Sequence, residues 1–140
     1  MKIKTTEINV KKPDKDVDFF DITGNVSDAV AAADVKEGVA NVFSPGSTAS
    51  VTTIEYEPNL LIDFRRVLEK LVPSDIRYEH EKAWGERNGQ SHMRTSIFGP
   101  GVVIPIHEGK LMTGQWQQIV VMDFDVIQRN RRIVIQVIGE

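Results

Sequence analysis

The sequence predicts a single α+β domain, a largely antiparallel β-sheet packed with two principal helices. Three observations predict it. β-branched segments stand in groups before, between and after two helical segments, rather than alternating with helices one by one. The later segments are joined by connections of hairpin length. Residues 58–71 carry Leu60, Leu61, Phe64, Val67, Leu68 and Leu71 at helical period, a stripe that needs a sheet or another helix to lie against.

The elements follow in order. Ile3, Thr5, Glu7 and Val10 open a strand that turns at Lys11-Lys12-Pro13-Asp14, and Phe19 to Thr23 form a second, short strand. Residues 27–36 read as a helix: Asn25 or Ser27 can cap it, the alanine run favours it, and Gly38 stops it. Residues 39–43 and 50–57 are β-branched strands joined by Ser44-Pro45-Gly46-Ser47. Pro58 opens the second helix and Pro73 follows its end. The polar stretch 78–89 holds Tyr78 and Trp84, which a free linker rarely keeps, and reads as an ordered loop. Strands are predicted at 92–98, 102–106, 117–125 and 132–138. The last is nearly continuous in apolar residues from Ile133 to Ile138, the mark of a strand covered on both faces.

Composition bounds the function classes. The 140 residues suffice for one domain with a core, and no repeat or low-complexity tract divides them. A formal net charge of −3 argues against a general nucleic-acid binder, which needs a clustered excess of cations. The chain has no cysteine, which excludes disulfides, zinc-thiolate sites and thiol nucleophiles. The first 16 residues mix charge with apolar residues and form no signal-peptide core, and no apolar run approaches the ~20 residues that span a bilayer. The expectation is a cytoplasmic protein with no membrane and no nucleic-acid partner.

Several polar groups carry candidate chemistry, each beside a plainer reading. On a strand at 92–98, His92 and Arg94 share one face, an acid–base group beside a fixed cation; the plainer reading is an outward polar face. Gly46-Ser47-Thr48 leaves backbone N–H groups and hydroxyls free for an anion, or is an ordinary β-turn. Asp123 and Asp125, with Arg129, Arg131 and Arg132 beyond, offer a cation platform or a phosphate grip, but at a hairpin end they read first as solvated, mutually compensating charge. His107 reads as a solvated turn residue, and Trp116 as packing against the sheet end. Neither a Ser-His-Asp order, a P-loop nor HExxH is present.

Three blocks of the chain resemble the YjbQ family of small proteins, which carry the label secondary thiamine-phosphate synthase. One block is SPGSTASVTTIEYEP, from Ser44 to Pro58. Another is Tyr78-Glu79-His80 followed by Asn88-Gly89-Gln90-Ser91-His92. The last runs from Gly99-Pro100 through Gly109, Leu111, Gly114, Trp116 and Gln117 to Phe124-Asp125, and closes at Val137-Ile138-Gly139-Glu140. Together they cover roughly the last two-thirds of the chain in order.

The resemblance implies a homotrimer with clefts at subunit boundaries. It also implies condensation of an aminopyrimidine diphosphate with a thiazole phosphate, releasing diphosphate. The alternative class is a non-catalytic trimer that binds a small phosphorylated metabolite. In the family, histidines at Pro-His-Thr-Thr-Ala, at Asn-x-His-x-His and shortly before gather round a divalent metal. Here Gly46 and Gln90 stand at two of those places, and His80 and His92 remain. The implied site is catalytic His92 and Arg94; ligand-binding Gly46, Ser47, Thr48 and Lys110; and a weakly held Zn²⁺ or Mg²⁺ on His80, His92 and a carboxylate, Glu55 foremost, with Glu79 and Glu81 as alternatives. The plainer reading of His80 and His92 is a pair of hydrogen-bonding residues in a cleft.

Overall fold

The computed structural model describes residues 1–140. Two antiparallel sheets face each other. The larger is ordered β1 (Lys2–Lys11), β8 (Asn130–Gly139), β3 (Gly38–Phe43), β5 (Gly101–His107) and β6 (Lys110–Leu111). The smaller is ordered β2 (Asp18–Asp21), β7 (Gln118–Asp123) and β4 (Ala49–Ile54). Every ladder is antiparallel. The strands alternate faces, so one face of each sheet supplies a shared core: Val42, Ile104, Ile133 and Ile135 from the larger, Val51, Ile119 and Val121 from the smaller. Helix α1 (Thr23–Ala33) adds Val26, Ala29, Val30 and Ala33 to that core.

The far face of the smaller sheet builds a second core. Val120, Met122 and Phe19 meet Leu68, Leu61 and Phe64 of helix α2 (Pro58–Leu71). Burying one leucine such as Leu68 is worth roughly 2 kcal/mol. Glu57 caps α2 by accepting from the Asn59 and Leu60 N–H groups at 3.0 and 2.7 Å, and Pro58 occupies the first turn, where its missing N–H costs nothing. Phenylalanines 19, 64, 98 and 124 pack edge to tilted in succession, with centroids 5.3–6.0 Å apart. This row ties α2 to α4 (Gly89–Phe98), the third long helix.

Three expectations are corrected. The first helix starts at Thr23, where Asp21 accepts from the Thr23 N–H and hydroxyl, and it ends at Asp34 in the left-handed region; Gly38 opens β3 instead. Residues 92–98 are not a strand but the body of α4. Residues 133–138 alternate: Ile133, Ile135 and Val137 are buried, while Val134, Gln136 and Ile138 are only half covered. The stretch 78–89 is ordered, as expected, and contains the one-turn helix α3 (Glu81–Trp84). No helix is long and apolar enough to cross a membrane.

Candidate functional site

The cleft begins with a glycine. Gly89 is the first residue of α4, and a Cβ there would lie 2.5 Å from Cβ of Tyr78. Only glycine lets the Tyr78 segment lie against the helix, and that approach brings His80 up to His92. The two rings meet edge to face with centroids 4.7 Å apart. Together with Tyr78, Glu79, Gly89 and Met93 they line an open cavity of about 350 Å³. Tyr78 is anchored by its hydroxyl, which donates to the Pro73 carbonyl at 2.5 Å, and burial foremost pushes its pKa up. Both imidazoles are half-buried, and neither side chain is hydrogen-bonded.

The other predicted site residues are dispersed. In a helix His92 and Arg94 point roughly 200° apart, so the shared strand face does not exist. Arg94 turns inward, 2 % exposed; Nη2 binds Glu69 at 2.9 Å, and Nε and Nη2 bind the Val72 carbonyl. It braces the end of α2 and does not reach the histidines' cavity. Lys110 sits at the β5–β6 turn, paired with His107, about 20 Å along β5 from the end near α4. Glu55 lines a different cavity with Tyr56, Glu57 and Trp116. No three His, Asp or Glu side chains gather closely enough to hold a metal ion. One chain therefore offers two imidazole donors, short of the three or four zinc requires. Trp116 is 66 % exposed and does not pack on the sheet end. His107, exposed as expected, contacts Glu37.

The larger surprise lies beyond β7. Asp123 and Asp125, read as solvated, are 0 % and 1 % exposed, and Arg131 is 7 % exposed. Arg131 grips Asp123 with two nitrogens, Nε at 2.9 Å and Nη2 at 3.0 Å, and Nη2 also donates to the Thr48 hydroxyl at 2.6 Å. Thr48 in turn donates to Asp125 at 2.9 Å, so its hydroxyl is committed and not free for a ligand. Lys12 is fully buried, 3.8 Å from Asp123, and donates to the carbonyls of Lys15, Asp16 and Asp125. Burial would raise the Asp125 pKa, but the Arg129 and Thr48 hydrogen bonds and the Arg129 charge outweigh it and hold it below the usual range. Burial lowers the Lys12 pKa against the pull of Asp123 and Asp125. Arg129 and Arg132 behave as expected, both exposed and paired with carboxylates, Arg129 with Asp125 and Arg132 with Glu7.

The cluster is buried at the end of the space between the sheets: Asp123 lies on the face of β7 that carries Ile119 and Val121, and residues 12–16 close over it through Lys12. Ser91 of α4 donates to the Phe124 carbonyl at 2.6 Å, and the Phe124 N–H donates to the Thr48 carbonyl at 3.0 Å. Sequence spacing carries no signal of that covering. Three buried oxygens nearby lack partners: Ser44 Oγ, Asn88 Oδ1 and Thr95 Oγ1.

A profile of the YjbQ-like UPF0047 proteins matches residues 6–140. A UPF0047 protein of Methanothermobacter thermautotrophicus is 34% identical over 140 residues, covering 100% of this chain and 95% of that one. YjbQ of Escherichia coli O157:H7 is 31% identical over 107 residues, covering 76% and 77%. A crystal structure of a YjbQ-like protein of unknown function from Sulfolobus solfataricus superposes with a TM-score of 0.94 at 27% identity, covering 99% of each chain.

Proposed function

This chain belongs to the UPF0047 family of YjbQ-like proteins, and from that premise we propose that it handles a small phosphorylated metabolite at the His80–His92 cleft. The reaction to which the resemblance points is secondary thiamine-phosphate synthase chemistry. In it the pyrimidine methylene–oxygen bond breaks, its electron pair leaves on diphosphate, and the thiazole nitrogen forms the new carbon–nitrogen bond. The observation that supports a ligand at this cleft is the pair of unbonded imidazoles 4.7 Å apart in a cavity large enough for a small heterocycle. As neutral rings they accept hydrogen bonds, and once protonated they add positive charge beside a phosphoryl group. No step of this reading runs through a metal.

A second reading is favoured by one observation. Arg94 is spent on Glu69 and Val72, and Lys110 lies at a distant hairpin, so this cavity has no free lysine or arginine to draw off diphosphate. On that reading the protein binds the metabolite without consuming it. In either reading we propose a homotrimer. The outer face of the larger sheet presents Ile3, Phe43 and Val103 at 62%, 41% and 61% exposure beside half-covered Val39, Val134 and Ile138, an apolar surface suited to a second copy.

One set of measurements separates these readings. The protein is mixed with the aminopyrimidine diphosphate and the thiazole phosphate, and diphosphate release is followed for wild type and His92→Ala. Release that His92→Ala abolishes in a folded protein establishes the enzyme. Calorimetric binding of the thiazole phosphate without turnover selects the binder, and neither signal sinks both. Light scattering that returned a monomer at all concentrations would remove the trimer.

A further inference from the structure

Arg94, the cation expected from the sequence, is turned away, and another guanidinium stands in a better place. We propose that Arg131 Nη1 and the turn at Gly46-Ser47 form an anion subsite that takes a phosphate or diphosphate group. It rests on the reading above for its ligand class, a phosphoryl group, and places that group outside the histidines' cavity, whose lining includes neither Arg131 nor Gly46.

Arg131 is fixed from behind. Its Nε and Nη2 are engaged by Asp123 and Thr48, while its Nη1 makes no hydrogen bond. Nη1 is not among the sealed, unpartnered atoms of the interior, so it keeps access to solvent. It faces Gly46: a Cβ on that residue would stand 3.7 Å from it, and nothing else lies within 4 Å. Gly46 has φ +129°, a conformation other residues rarely adopt. The glycine therefore leaves both a bare backbone and an open space over the guanidinium. Ser47 beside it is exposed, with a hydroxyl that makes no bond.

The anion would meet Nη1 itself and not a surplus of charge: Lys12, Arg129 and Arg131 oppose Asp123 and Asp125, and Asp14 also acts on Lys12. A guanidinium already clamped by two carboxylates loses little side-chain freedom when it binds, and its planar N–H groups suit phosphoryl oxygens. A chain of hydrogen bonds holds the turn to α4 through the end of β7. Thr48 bonds Phe124, Phe124 bonds Ser91, and His92 is the next residue of α4.

The test uses inorganic diphosphate titrated into the intact protein by calorimetry. Ser47→Asp places a carboxylate at the exposed turn position next to Gly46 and is expected to weaken diphosphate binding at least tenfold, with the circular dichroism spectrum and melting temperature retained. Lys110→Ala removes the same unit of charge at the far hairpin and is expected to leave the affinity within twofold. The proposal is overturned if wild type does not bind diphosphate at millimolar concentration, or if folded Ser47→Asp binds as wild type does. It is also overturned if Lys110→Ala weakens binding as much as Ser47→Asp does, since that marks general attraction alone. Should Ser47→Asp misfold, Ser47→Glu and the ionic-strength dependence of wild-type binding decide it: a slope near zero overturns the subsite. Diphosphate binding weakened by Ser47→Asp but not by His92→Ala upholds the subsite apart from the cleft. Diphosphate binding weakened by His92→Ala but not by Ser47→Asp would refute the subsite and leave the cleft standing.

Discussion

Two polar regions lie on opposite sides of the contact between α4 and the end of β7. Around Asp123 the carboxylates, guanidinium and ammonium groups are buried, and both carboxylates are met by donors from Arg131, Thr48, Arg129 or the backbone. At the cleft, His80 and His92 are half-exposed with unbonded rings. The difference follows from solvent. A buried charge without partners costs several kcal/mol, so the interior cluster is saturated, whereas imidazoles at the surface keep water as a partner and stay available. Saturation marks the region that holds the fold; unspent donors mark the region able to meet a ligand. Arg131 belongs to both, with two nitrogens on the saturated side and one on the open side.

The sharpest way to break this contrast is Asp123→Ala. It leaves Lys12 and Arg131 buried without their shared carboxylate, and unfolding free energy should fall by about 3–5 kcal/mol, read from the urea midpoint. A loss below about 1 kcal/mol would mean that water or a rearranged chain replaces the carboxylate.

A smaller effect is expected at Gly89→Ala. The added methyl meets Cβ and Cγ of Tyr78 at 2.5 and 2.8 Å, atoms too close to the backbone to swing aside. A loss of about 1–3 kcal/mol is expected, with weaker nuclear Overhauser contacts between the His80 and His92 rings. Retained ring contacts would show that the cleft does not depend on this approach.

The smallest effect is on acid stability. The Asp125 pKa is lower in the folded protein than its ordinary value of 3.8. The native state therefore holds fewer protons than the unfolded one, and this stabilisation is present above the ordinary value and lost as pH falls through the folded one. Asp125→Asn should be less stable than wild type near neutrality, and the gap should narrow below about pH 4. A gap that stays constant with pH would show that hydrogen bonding, not charge, is what Asp125 contributes.

The second helix was legible because its cues agree: Pro58 at the start, an apolar stripe and Pro73 beyond. The α4 helix was not, and for a specific reason. Its buried face is polar, made of Gln90, Ser91, Arg94 and Thr95, with Ser91 and Arg94 satisfied by carbonyls of neighbouring segments. Hydrophobic periodicity has nothing to report on such a helix. The same blindness hid Asp123, Asp125 and Arg131, since a run of mixed charges reads as solvated until something covers it. The pairing of His80 with His92 came through the family resemblance, and the proximity of Arg131 to Gly46 came only from the three-dimensional fold.

One consequence of the strand order concerns the time course of synthesis. β8 lies between β1 and β3, and its ten residues pair along the whole of β1, from Lys2 opposite Gly139 to Lys11 opposite Asn130. Until β8 has left the ribosome, β1 has no neighbour in its sheet and β3 has one open edge. The N-terminal strand therefore waits until residues 12–129 have been made, and the long loop this closes slows folding. During that wait the exposed edges are the places where two nascent copies would most readily join by mistake.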